Sequence, residues 1–278
     1  MKTWCGAFAG FSLITLLANL QPVPGMEILK LATSTSTSFT GILDHLHSPF
    51  EKKFGVRIHT IAVGTGKALR LGENGDVDVV MVHSPNAEEA FVSRGSGVNR
   101  RNLMYNNFVI VGPISDPAGI SGTDGVAAAL RRIGERKAVW VSRGDDSGTH
   151  KKEITLWRAA GLKPEGKWYR SLGQGIGGTL KVADEIGAYA LSDRGSFIFF
   201  AARGKVDLQI LLEGGRALFN PYSIIAVNPK RNPHVRYDLA MKYIRFLTSA
   251  RGQELIGSFR LKGNKLFYPF MPPVRPRN

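Results

Sequence analysis

The period of apolar and polar positions changes along the chain, and each change marks an element. Residues 27–33 (EILKLAT) predict a strand that runs into a Ser/Thr cluster. The next stretch, GILDHLHSPFEKKFG, puts Ile42, Leu43, Leu46 and Phe50 on one face of a helix, with Gly55 as its stop. Residues 56–63 alternate as a second strand, GTGKALRLGENG reads as a turn and short helix, and 78–82 (DVVMV) form a third strand. This β-α-β-α-β spacing predicts an α/β protein with a parallel, doubly wound sheet.

Further on, a strand is expected over 107–111, closed by Gly112 and Pro113, then a helix near 126–137 and a strand at AVWVS. The loop RGDDSGTH opens a helix at KKEITLWRAAGL, and the Gly-rich LGQGIGG opens another at TLKVADEIG. Strand-like runs follow at 188–191, 206–212 and 223–227, and the last helical stretch is YDLAMKYIRFLTSARGQELIGSF. NFVIVGP and YSIIAVNP are alike: both are apolar and both end at Pro. Each reads as a crossover strand joining two α/β lobes. Lobe 1 is then built from 26–111 and 220–278, and lobe 2 from 112–219. The tail MPPVRPRN is basic, Pro-rich and expected to fray.

The first residues do not fit this pattern. Lys2 precedes an apolar run over 7–20, which is the length of a signal-peptide core and short for a bilayer span. Val23 and Gly25 suit the −3 and −1 sites of cleavage. Residues 1–25 are therefore expected to be an export signal, with Ala18 as a second possible site and an uncleaved anchor or core helix as the alternative reading. Such a protein works in the periplasm or outside the cell. The single cysteine, Cys5, lies ahead of the apolar run, so neither a lipid-anchor motif nor a disulfide framework is present.

Hydrophobic residues at 43% and charged residues at 21% exclude a disordered chain, a collagen repeat and a coiled coil. The net charge of +15 points to an anionic partner. The basic pairs Arg100-Arg101, Arg131-Arg132, Lys151-Lys152 and Lys230-Arg231 are scattered and lack interleaved aromatics, which argues against nucleic acid.

The chemistry concentrates at loops that lead into helices. Residues 33–38 (TSTSTS), 64–67 (GTGK), 143–149 (RGDDSGT) and 173–179 (GQGIGGT) each combine small residues with hydroxyls just before a helix. A helix N-terminus offers free N–H groups and partial positive charge, which suit an anion. Glycine lets the guest approach the backbone, and Arg143 adds a bidentate, charged donor. Any one of these loops is equally an ordinary N-cap, stabilising by about 1 kcal/mol. Recurrence, together with an arginine, favours a ligand cage.

Competing sites are weaker. GQGIGG matches the dinucleotide spacing but follows no clear strand and has no acidic ribose partner, and no P-loop occurs. GDDSGT bears a faint similarity to the nucleophile loop of serine proteases. His150, however, sits one turn into the helix and is badly placed to serve Ser147. His45 and His47 are two apart, do not share a helix face, and read as surface residues rather than metal ligands. Phe197, Phe199 and Phe200 read as strand core.

LATSTSTSFTGILD, AVGTGKALRLGENGDVDVVMVH, VNRRNLMYNNFVIVGP, VSRGDDSGTHKKE, GQGIGGTL, GAYALSDRG and LFNPYSIIAVNP follow one another in order through the chain. In these stretches the chain resembles the periplasmic tungstate-binding proteins of ABC transporters, whose wider relatives bind molybdate, sulfate and phosphate. The resemblance implies a two-lobed periplasmic-binding-protein fold of type II, each lobe a mainly parallel sheet flanked by helices, with the ligand cleft between them. It implies a monomer that captures an inorganic oxyanion, delivers it to a membrane permease, and needs no enzyme chemistry, cofactor or metal cation.

The ligand-binding residues it implies are Ser34, Thr35, Ser36, Thr65, Arg143, Ser147, Thr149, Gly178 and Thr179. The family's first loop usually reads Thr-Thr-Thr-Ser. Here Ser34 replaces a Thr, which keeps the hydroxyl and loses a methyl. Phosphate carries a proton near neutral pH and would need an acceptor in the site. Asp145 or Asp146 pointing into the cleft would favour it. The alternative is that one caps the helix and the other pairs with Arg143. Tungstate and molybdate are nearly equal in size, and only the resemblance favours tungstate. A sensor of the same fold and an exported serine hydrolase using Ser147 are the remaining alternatives.

Overall fold

A computed structural model describes residues 26–270. The expected export signal at 1–25 and the basic tail at 271–278 lie outside the described residues.

The chain starts with β1 (Glu27–Ser34), a short α1 (Thr35–Phe39), α2 (Ile42–Phe54), β2 (Val56–Val63), α3 (Thr65–Asn74), β3 (Val79–Val82) and α4 (Pro85–Ser93). Burying Ile42, Leu43, Leu46 and Phe50 places α2 against the sheet, and the helix stops where Gly55 turns left-handed (φ 66°) and donates to Glu51 O. β1 pairs in parallel with both β2 and β3. It is covered on both faces, so its inner half is a continuous buried run.

β4 (Gly97–Gly112) is sixteen residues long and starts ten residues before the expected strand. Asn99, Arg100, Arg101 and Asn102 hide it in the sequence. The register slips twice in this stretch, and Asn99 sits at φ 55°, so the usual alternation is lost. The chain continues through α5 (Val126–Glu135), β5 (Trp140–Ser142), α6 (Gly148–Ala159), β6 (Tyr169–Ser171), α7 (Ile176–Glu185), β7 (Tyr189–Asp193), α8 (Arg194–Ala201) and β8 (Gln209–Glu213). A 3-10 turn at Arg216–Leu218 leads to β9 (Phe219–Val227), and α9 (Tyr237–Thr248) and α10 (Ala250–Ser258) follow.

The first sheet has the order β2-β1-β3-β9-β4. β9 lies antiparallel between β3 and residues 97–107 of β4. Beyond that point β4 enters a second sheet, where residues 108–112 lie antiparallel to β7 on one side and β8 on the other. β5 and β6 extend that sheet in parallel beyond β7. Of the two look-alike strands, then, one passes from sheet to sheet. YSIIAV lies wholly in the first sheet, and the return crossing is made by the turn before β9.

One apolar cluster runs over both sheets, joining Leu46 and Phe50 of α2 and Leu180 of α7 to Tyr243 of α9. Two others fill the opposite faces, one beneath α3 and α4, the other around Trp140 and Trp157 beneath α5 and α6. No described helix is long and apolar enough to cross a membrane.

Three expectations change. The final helical stretch is two helices, broken at Ser249, whose hydroxyl accepts from Gly252 N. Phe197, Phe199 and Phe200 stand on helix α8, not on a strand. Asp193 caps that helix, and the Phe199 ring stacks on Phe39 of α1. His47 is buried, not on the surface, because α9 covers that side of α2 with Tyr243. Burial lowers its pKa to about 4.

Candidate functional site

The carboxyl ends of β1, β2, β3 and β5 each deliver a polar side chain. In open α/β sheets this is the end where ligands bind.

At the end of β1, Ser34 caps α1 and accepts from Thr37 N at 3.3 Å. Its hydroxyl lies 2.9 Å from that of Ser36 and 2.7 Å from that of Thr37. Ser36 Oγ in turn lies 3.2 Å from Nε2 of His83, the first residue after β3. Thr35, between them, is half-buried.

At the end of β2, Thr65 is buried at the start of α3. It faces the loop after β5 so closely that a Cβ on Gly148 would lie 3.2 Å from Thr65 Oγ1 and 3.7 Å from the His83 ring. A Cβ on Gly66 would lie 3.8 Å from an Asp146 carboxylate oxygen. The first sheet's loops and the second sheet's loop thus meet face to face, with glycine at the points of contact.

That loop holds the charge. Arg143 is only 4% exposed, yet it carries a guanidinium. It donates from Nε and Nη2 to Asp145 Oδ2 at 3.2 and 2.5 Å, and from Nη1 to Thr149 Oγ1 at 3.5 Å. Asp145 Oδ1 accepts from Ser147 N at 3.2 Å. Burial alone would raise the Asp145 pKa, but the Ser147 and Arg143 bonds outweigh it and hold it below the ordinary carboxylate value. Asp146 points outward and pairs with Lys151 at 2.7 Å. Asp145 is therefore the arginine's partner. The expected capping by an aspartate is corrected: Ser147 caps α6 and accepts from His150 N. The His150 ring accepts from Asp146 N through Nδ1, so it does not serve Ser147 as a base.

The fourth loop has a different role. Gln174 N donates to Arg143 O, so this loop props the arginine loop through the backbone. Thr179 donates its hydroxyl to Gly175 O, and Gly178 lies under the Gln174 side chain. The hydrogen bonds of Thr179 stay at the start of α7. Ser34, Ser36, Thr65, Arg143, Ser147 and Thr149 are brought together; among the described residues, Gly178 and Thr179 share no hydrogen bond with them.

Sequence reasoning passed over the group behind Ser36. His83 Nδ1 lies 2.9 Å from Asn220 Oδ1. Asn220 Nδ2 donates to Asn106 Oδ1 at 2.7 Å, and Asn106 Nδ2 donates to Asp193 Oδ1 at 3.2 Å. Tyr222 stacks on the His83 ring at 4.5 Å. All four polar residues are buried. The available signal was a His and two Asn at the edges of otherwise apolar strands. A cavity of about 500 Å³ borders His83, Phe108, Gly148, Lys152 and Asn220. Among the described residues, no cluster of His, Cys, Asp or Glu is arranged to hold a metal ion.

The cage is thus donor-rich, with hydroxyls on one side and a single buried guanidinium on the other. Residues 24–251 match the family model of the PBP superfamily domain. The chain belongs to the PBP superfamily. It is 51% identical over 246 residues to a putative ABC transporter anion-binding protein of Haloferax volcanii, covering 87% of this chain and 71% of that one. It is 43% identical over 243 residues to the tungstate-binding protein TupA of Peptoclostridium acidaminophilum, covering 86% and 84%. A crystal structure described as the tungstate ABC transporter from Geobacter sulfurreducens superposes with a TM-score of 0.79 at 52% identity, over 84% of this chain and 99% of that one. The superfamily's two-lobed periplasmic-binding fold is the fold of this chain.

Proposed function

We propose that this chain is an extracytoplasmic solute-binding protein that captures tungstate and delivers it to the membrane permease of an ABC transporter. It works as a monomer without a cofactor, exported by residues 1–25. One lobe is built on the first sheet, from the stretches 26–107 and 219–270, and the other on the second sheet, from 108–218, which moves the expected boundary at 111 back to the point where β4 changes sheets. No bond is made or broken in its cycle. The observation that carries this reading is the buried Arg143, held by Asp145 and facing a hydroxyl cluster across a glycine contact. Ser34, Ser36, Thr65 and Thr149 donate hydroxyls, Thr35 contributes its backbone N–H group, Ser147 offers its hydroxyl proton because its N–H is committed to Asp145, and Arg143 brings the full charge. Gly178 and Thr179 stay outside the donor set, and the loop that carries them props the arginine loop through Gln174 N. Closing the lobes removes water and strengthens every contact.

The acceptor inventory favours a fully deprotonated guest. Asp145 commits one oxygen to Arg143 and the other to Ser147 N, and Asp146 lies outside. Hydrogenphosphate would find no carboxylate to receive its proton. Tungstate, molybdate and sulfate meet this requirement equally; the tungstate-named relatives support tungstate.

The test is the melting temperature with tungstate, molybdate, phosphate and sulfate in turn. A ligand at about 1,000 times its dissociation constant stabilises by about 4 kcal/mol, a shift of several degrees. The expected result is a large rise with tungstate and none with phosphate. A rise with phosphate alone overturns the acceptor argument, and no rise with any anion overturns the site.

A further inference from the structure

The hydrogen-bond chain behind Ser36 has a fixed direction. It ends on the Asp193 carboxylate, which accepts from Ser196 N, Ser196 Oγ and Asn106 Nδ2. A carboxylate that only accepts requires Asn106 to present its NH₂ there and its oxygen to Asn220. Asn220 in turn gives its NH₂ to Asn106 and its oxygen to His83. His83 Nδ1 must therefore carry a hydrogen, whatever the charge of the ring.

Everything now depends on Nε2. In the neutral ring Nε2 is a lone pair that only the Ser36 hydroxyl, 3.2 Å away, reaches with a proton, and Ser36 Oγ then accepts from Ser34 Oγ at 2.9 Å. The one proton of Ser36 then points away from the cleft, and an oxyanion would meet the Ser36 lone pairs. In the charged ring Nε2–H donates to Ser36 Oγ, and the Ser36 proton is free to turn to the guest.

We propose that His83 is a proton-coupled positioning residue: binding of a tetrahedral dianion draws one proton from solvent onto His83 Nε2, which frees the Ser36 hydroxyl to donate to the anion. This rests on the oxyanion reading of the hydroxyl loop. Burial favours the neutral ring at rest and lowers its pKa, against the opposing pull of Asp193 and the Asn220 bond. The charges around the ring come from every side. Glu88 of α4 is paired with Arg100, Asp193 caps α8, Arg143 lies after β5, and Lys151 and Lys152 of α6 line the cavity that His83 borders. A dianion beside Arg143 adds the negative charge that tips this balance towards the charged ring.

The experiment is titration calorimetry of the full chain with sodium tungstate in two buffers of different ionisation enthalpy, neither of them phosphate, between about pH 6.5 and 8.5. The expected result is uptake approaching one proton per anion, with affinity falling by up to about tenfold per pH unit. His83→Gln, whose amide donates to Ser36 permanently, loses the uptake and binds with a flat pH profile. Lys152→Gln keeps the uptake. The His83 Cε1–H resonance in the wild type moves to its charged position when tungstate is added, a readout that does not depend on how the variants fold. Binding without proton uptake, a resonance that stays put, or uptake that survives in His83→Gln overturns the coupling alone. No binding of tungstate, molybdate or sulfate by the wild type overturns the oxyanion reading and the coupling with it.

Discussion

The two walls of the cage are built in opposite ways. On the arginine side, Arg143, Asp145, Ser147 and Thr149 satisfy one another within seven residues of chain. On the hydroxyl side, Ser36 depends on His83, His83 on Asn220, Asn220 on Asn106 and Asn106 on Asp193. Each step joins residues 47 or more positions apart. The first wall is a property of a loop. The second exists only when both sheets are in place. Charge is thus held locally, and hydroxyl orientation is set by the assembled fold.

Removing the charge is the largest test of this contrast. Arg143→Ala is expected to weaken tungstate binding by about 2 to 4 kcal/mol, because a desolvated, charged partner is lost. Calorimetry checks it, and the melting temperature without ligand should change far less than the affinity does. Unchanged affinity would remove the arginine from the site.

Breaking the long-range wall should do the reverse and act first on the fold. Asp193→Ala removes the α8 cap and leaves Asn106 with an unpaired buried amide, at a cost of about 2 to 4 kcal/mol. Urea unfolding of the unliganded protein measures it. A loss below about 0.5 kcal/mol would mean that the buried chain is not a structural element.

A smaller effect is expected at Asp145. Asp145→Asn keeps a side-chain acceptor for Arg143 but loses the ion pair that orients it, and tungstate affinity should fall by about tenfold, read by calorimetry. The pH arm has a definite sign. The folded carboxyl is held below its unfolded value, so its contribution to stability is present above about pH 4 and is lost on further acidification. The variant should lack that loss.

A last test uses Glu153 of α6, which makes no contact with the proposed guest and acts on stability alone. It accepts from Trp140 Nε1 at 3.0 Å and from the Tyr169 hydroxyl at 2.8 Å. Burial raises its pKa to about 7. The folded state therefore holds a proton that the unfolded state has lost, and stability falls as pH rises from about 4.5 to about 7. Glu153→Gln should flatten that slope in thermal melts. This separates a folding-linked proton in the second sheet from a binding-linked proton at His83.

What the sequence made legible follows the same division. GTGK and RGDDSGT sit beside a strand and a helix that their own neighbours predict, so the short loop and its arginine were found together. α2, with its stop at Gly55, was equally local. The ordering of Asp145 against Asp146 came only with the structure, because a turn at φ 56° on Asp146 throws its side chain outward. His83, Asn106 and Asn220 were invisible as a group, since nothing in three separate strands says that their edges meet. The start of β4 was lost where bulges broke the alternation. The helix under Phe197 was lost because an apolar run that short carries no period of its own.

The long β4 strand has a consequence for the order in which the molecule can be made. Synthesis delivers β1, β2 and β3 first, but the strand that joins them to β4 is β9, which leaves the ribosome more than a hundred residues later. The second sheet draws only on residues 108–213 and has every strand before β9 exists. The half that begins the chain is therefore finished last. Until then β3 waits with an unpaired edge, ready to bind whatever strand arrives first.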